Sequence, residues 1–329
     1  MLTGGAVPLT PRPGSTTLEA ARAAGTPRRP MPSEDPTHPA PLYRLVESAF
    51  GRAYLRLLGR PDGEDMVYRI SGSVYADVPG DALAPALRHG TRLFGFEGFN
   101  IRRLHREPGT DLLHLLTREI VFYTDPADPA KILTEWANPV DGRTYPVVPV
   151  NNDAVNQGPF PIAASFTGPP PRAAHGQVVW SMDIPPRTDL RATLGDDFGL
   201  PGGVYTTFEL FDFMVAEDAV DACRHRRVPE GAMPVVNTWT RSGPWPPFTG
   251  LAEAETGGAG VVYHARSWTL GGFEELERWL KDAVRADYPL YTAAPREPGP
   301  SRTSWSSFWA DQLGGGVLTW EEWREANGA

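Results

Sequence analysis

The segments TRLFGFEGFNIRR (residues 91–103) and LLHLLTREIVFY (residues 112–123) decide the fold class. A strand shows its faces with a period of two, and both segments place apolar or aromatic side chains on each face. Gly90 precedes the first and Pro108-Gly109 lies between them. That link is too short for a crossover helix, so the pair is antiparallel. Further strands are expected upstream at 66–74, and downstream at 132–136, 144–150, 175–184, 203–214, 234–239 and 259–270. Asn138-Pro139 and Asp141-Gly142 supply turns within this run. The stretch 151–171, rich in Asn, Pro and Gly, reads as a loop. Two helices show a period near 3.6, at 42–58 and at 273–286. The segment 301–329 carries Trp305, Phe308, Trp309, Trp320 and Trp323, a density that predicts packing on the body.

Strands apolar on both faces with short links suit a mainly β fold. The expected architecture is a large antiparallel β-barrel of lipocalin or calycin type, or a strongly curved sheet, with a few peripheral helices. Residues 41–329 are read as one such domain. Residues 1–40, rich in Pro, Gly and Ala with little apolar content, are read as a disordered tail with a short helical piece at 17–24.

Composition narrows the function. The 329 residues hold 31 Lys and Arg against 40 Asp and Glu, a net charge of −9. Such a chain repels phosphate backbones unless it carries a basic stripe, and its basic groups (Arg102-Arg103; Arg224 to Arg227) are short. No nucleic-acid partner is expected. No apolar run reaches the roughly 18 residues of a membrane span, so no membrane partner is expected either. Arg28-Arg29 precedes Pro30 and Pro32 without an apolar stretch, which rejects a twin-arginine export signal. The lone cysteine, Cys223, excludes an internal disulfide and fits a cytoplasmic location. Phosphate-loop, dinucleotide-binding, zinc-protease and nucleophile-elbow motifs are missing, and the seven histidines lack metal-ligand spacing. Neither a cofactor nor a metal is expected.

Three polar positions stand on apolar strand faces. Glu209 alternates with Tyr205, Phe211 and Phe213. A carboxylate among aromatics has a raised pKa and suits proton transfer, although a structural clamp to an arginine fits the same pattern. Glu119 in Thr117-Arg118-Glu119 faces opposite to Arg118, so one of the two must point inward. Asn237, Trp239 and Arg241 alternate onto one face, where Arg241 suits an anion clamp and Trp239 with Trp245 a pocket wall, or a lid over the core. His264, in mid-strand, is the histidine best placed for proton transfer, or a satisfied core histidine. Phe94, Phe96, Asn100 and the amide-rich stretch containing Asn152 complete the expected lining.

The same segments resemble a known family. Leu93 to Asn100 is similar to its LFxFEGxN signature, and Thr117-Arg118-Glu119 with Phe122-Tyr123 and Asp125 to its TRE…FYxD element. Trp136, Asn138-Pro139, Gly142 and residues 147–152 continue the pattern. Glu209-Leu210-Phe211, Thr240-Arg241, Pro244-Trp245-Pro246-Pro247-Phe248, Tyr288-Pro289 and Ala293-Ala294-Pro295 follow in order. The chain is thereby identified as similar to the DUF1838 family over about residues 65–310. The family usually continues from the Pro-Trp segment into a methionine-rich run, where this chain has Phe248-Thr249-Gly250-Leu251-Ala252-Glu253. The resemblance implies bacterial proteins sometimes associated with specialised metabolism, and no agreed activity.

The residues themselves lead to the expected function. It is a cofactor-free acid–base enzyme (cyclase, isomerase or dehydratase) acting on a small apolar, aromatic or polyketide-like metabolite in a barrel pocket. Glu209 would be the acid or base, Arg241 the oxyanion clamp, and His264 or Glu119 the partner; Phe94, Phe96, Asn100, Asn152, Tyr205, Trp239 and Trp245 would bind substrate. The alternatives are a non-catalytic carrier of the same hydrophobic ligand, a hydrolase using the same groups, and a purely structural module. The expected assembly is a monomer or homodimer.

Overall fold

A computed structural model describes residues 49–60, 62–161, 171–184, 187–189, 204–223, 231–252, 255–315 and 317–328. Its centre is a ten-stranded antiparallel sheet. The strands β1 (Met66–Asp77), β2 (Arg92–Arg106) and β3 (Leu112–Asp125) form a meander. β1 also pairs with β14 (Gly260–Leu270), followed by β13 (Val236–Gly243), β12 (Phe208–Ala216), β9 (Gln177–Ile184) and β8 (Arg172–Ala174). On the far side of β3 lie β4 (Asp128–Ile132) and β7 (Val150–Pro161). Two small hairpins stand apart: β5 (Glu135–Ala137) with β6 (Thr144–Pro146), and β10 (Arg187–Asp189) with β11 (Val204–Thr206). The helices are α1 (Ala49–Leu58), α2 (Glu217–Ala222), α3 (Arg278–Asp287), α4 (Ser304–Asp311) and α5 (Trp320–Asn327). All of them lie within the unit Pro36–Ala329.

The expected barrel, and the strongly curved sheet offered beside it, are corrected: the sheet stays open. Closure would require β7 to pair with β8, and no such pairing is present. Along β7 the C-terminal segment supplies the missing partners. Asp153 N donates to Arg302 O at 2.8 Å and Arg302 N to Ala154 O at 3.2 Å. Ser304 N donates to Asn152 Oδ1 at 2.7 Å, and Ser307 Oγ to Asn151 O at 3.2 Å. The opposite edge, β8, is three residues long. A short edge and a covered edge are two ordinary ways of blocking further strand addition.

Apolar side chains on both faces, which suggested a lumen and an outer layer, serve two covering layers instead. The face of Phe99, Ile101, Ile120 and Phe122 packs against Leu276, and against Leu280 and Val284 of α3. Arg69 ties this layer down, donating to Glu97 at 2.7 Å and to Glu277, just before α3, at 2.9 Å. The opposite face is covered at its two ends. At one end Ala53 and Leu57 of α1 and Val220 of α2 meet Met66, Tyr68 and Phe213. At the other, Phe94 and Tyr123 meet Trp245, Phe248 and the C-terminal Phe308, Trp320 and Trp323. The tryptophan-rich segment therefore docks as expected. Trp323 stacks on Tyr145 with ring centroids 6.0 Å apart.

Most expected strands are present, with altered limits. The stretch 144–150 divides between β6 and the start of β7, and 132–136 between β4 and β5. Thr207 interrupts the expected strand 203–214. The expected loop 151–171 is a strand as far as Pro161. Asn and Gly lower strand propensity, but β7 has β3 on one side and the 301–307 segment on the other. Helix α1 begins at Ala49 within the described residues, and the tail reading of 1–40 lies outside them.

Candidate functional site

Register fixes which side chains meet on the face between the two apolar clusters. Glu119 lies opposite Asn100 on β2 and Asn152 on β7. Arg241 lies between Glu209 on β12 and Tyr263 on β14. Phe96 and Trp239 stand in one row with two strands between them, at Gly72 and Ala265. Because those two residues are small, the rings lean over them and stack with centroids 6.0 Å apart. A Cβ on Gly72 would meet the Ala265 methyl at 2.5 Å, so this row is built around glycine.

The result is a polar seam floored by aromatic rings. Asn152 Nδ2 donates to Glu119 Oε1 at 2.9 Å and Asn100 Nδ2 to Oε2 at 3.3 Å. Arg102 Nε donates to Asn100 Oδ1 at 2.9 Å, its guanidinium 4.3 Å from the Tyr68 ring centroid. Trp239 Nε1 donates to Glu209 Oε2 at 3.1 Å. Arg241 Nε stands 3.9 Å from Glu209 Oε1, an ion pair longer than a hydrogen bond, with the two side chains 21% and 22% exposed. The same guanidinium lies 5.5 Å from the Tyr263 ring centroid, and the Tyr263 and Tyr123 hydroxyls are 3.0 Å apart.

Burial dominates the electrostatics. It pushes the Glu119 carboxyl up, against the amide bonds of Asn100 and Asn152 and the charges of Arg102 and Arg241. It also pushes Glu209 up, opposed by the Trp239 indole and reinforced by the negative charge of Glu119. The Tyr123 and Tyr263 phenols are likewise raised by burial.

The sequence candidates divide into three groups. Glu119, Glu209, Arg241, Trp239, Asn100, Asn152 and Phe96 converge on the seam. Phe94 and Trp245 are core residues: Phe94 packs on Tyr123, Trp136 and Phe248, and Trp245 donates to Thr256. His264 points from the opposite face, exposed, 2.9 Å from Thr240 Oγ1. Tyr205 belongs to β11, opposite Thr188, so it does not share a strand with Glu209. Arg102, Tyr123, Tyr263 and Phe211 were not singled out. Tyr263 is legible once His264 is placed outward, since neighbours on a strand face opposite ways.

The expected function is corrected with the fold. Acid–base chemistry in a barrel pocket, carriage of a hydrophobic ligand there and hydrolysis by the same groups all require a lumen, and the open sheet forms none. Among the described residues no three His, Cys, Asp or Glu side chains are grouped to hold a metal ion, and no helix is long and apolar enough to cross a membrane.

By class this is an open antiparallel sheet covered in part on each face by helices and loops, with a charged seam between two apolar clusters. The chain belongs to the family described as "Protein of unknown function (DUF1838)", whose model matches residues 63–312. No curated protein matches it.

Proposed function

We propose that the seam binds an aromatic organic anion, its ring against Trp239 and Phe211 and its carboxylate or enolate oxygen at Arg241. The observation that carries this reading is the setting of Arg241: its guanidinium lies 5.5 Å from the Tyr263 ring centroid, beside the partly exposed Glu209 that accepts from the Trp239 indole. The balance of charge supports the same polarity. Two guanidinium groups, Arg102 and Arg241, stand at the seam, whereas burial favours the neutral form of Glu119 and Glu209. This differs from a greasy lumen: charge selects the ligand, and the rings orient it.

Calorimetric titration with benzoate, cinnamate and salicylate, each beside its neutral amide, tests the proposal. The acids should bind and the amides should bind at least about tenfold more weakly, the difference that one charge-assisted hydrogen bond makes. Arg241→Gln should remove that preference. Equal binding of acid and amide, or none of either at millimolar concentration, would refute it.

A further inference from the structure

We propose that the outer face of β14–β13–β12–β9 is a homodimer interface, occupied by the same face of a second copy of this chain. The face lies opposite the seam. It carries Phe208, Leu210 and Val236, 45%, 43% and 46% exposed. Phe208 and Leu210 are successive residues on this face of β12, and Val236, opposite Met214, stands on β13 beyond the Thr238–Asp212 row.

The charge pattern selects the occupant. Pairing runs Arg266–Thr238–Asp212–Ser181 across the four strands, and His264–Thr240–Leu210–Asp183 in the next row. Basic groups stand on β14 and acidic groups on β12 and β9. Arg266 and Asp183 have no ionic partner among the described residues, and Asp212 accepts only from Ser181 Oγ at 2.6 Å. A two-fold axis parallel to β13 stacks β14 of each copy on β12 of the other. Arg266 then faces Asp212 of the partner subunit, twice, across the roughly 10 Å that separates packed sheets. An arginine and an aspartate together span that gap. Leu210 and Val236 then flank the Arg266–Asp212 row on its two sides, and Val236, on the axis strand, faces its own counterpart. The Arg266–Asp212 row is therefore self-complementary, which an isologous contact requires.

Sedimentation velocity over a concentration series of the full chain tests this. The expected species at high micromolar concentration has twice the 36.0 kDa chain mass. Leu210→Glu, Asp212→Arg and Arg266→Glu should each return it to monomer. The double variant D212R/R266E should restore the dimer, because the exchanged charges meet again across the axis. All three sites are exposed, so unchanged circular dichroism and melting would show that folding is intact. A wild-type monomer at high micromolar concentration would overturn the proposal. So would a dimer indifferent to all three single substitutions, or a double variant no better than the singles.

Discussion

Glu119 has two amide donors, and its nearest cations reach it only through the field, so its carboxyl is held by hydrogen bonds in a buried setting. A carboxyl raised above its unfolded value binds its proton more tightly in the native state. Stability contributed this way is full below the unfolded value of about 4.5 and is lost as pH rises through the folded value. Glu209 acts in the same direction. Glu119→Gln removes the titration and keeps an acceptor for one asparagine. The melting temperature of wild type relative to E119Q should therefore rise as pH is lowered from about 7.5 to about 5. Parallel thermal melts across that range check it; a constant difference would mean that Glu119 is not raised. The same protonation should tighten binding of an aromatic anion at Arg241 between about pH 8 and about pH 5.5, where a benzoate stays ionised. Glu209→Gln should flatten that dependence in calorimetry.

Strands and helices differ in how openly they announce themselves. β2, β3, β12 and β14 were legible because aromatic and aliphatic residues recur along them with a period of two. β7 was not, because Asn151, Asn152, Asn156 and Gly158 are turn residues by local preference and their pairing partners lie more than 30 residues away in β3 and about 150 away in the C-terminal segment. The seam suffers the same blindness. Glu209 and Arg241 could be placed on apolar faces from their own strands, but their meeting with Glu119 depends on Gly72 and Ala265 in strands between. The C-terminal segment covers an edge, which makes its removal informative. A chain ending near residue 298 should expose β7 and associate, measurable by light scattering, whereas the full chain stays free of such aggregates. Trp323→Ala, by contrast, should leave the edge covered and cost about 3–5 kcal/mol in urea unfolding, since the ring is buried against Tyr145 and Phe308.

Closure is a property of the sheet as a unit and no strand carries it alone. Apolar residues on both faces fit a barrel and a sheet between two helical layers equally well. The distinction rests on what occupies the two outermost strands, a three-residue β8 and a β7 already bonded to residues 301–307. The opening has a functional consequence. A lumen would present one apolar interior, whereas the open sheet gives two dissimilar surfaces: a charged, aromatic seam on one side and a self-complementary exposed strip on the other. A crystal structure of the full chain grown with the tightest-binding aromatic acid would examine the first of these. The expected result is a ring lying against Trp239 and Phe211 with its carboxylate within hydrogen-bond distance of Arg241. Ligand density elsewhere, or Arg241 and Glu209 closed into a bidentate pair with no ligand between them, would contradict the reading of the seam as an anion site.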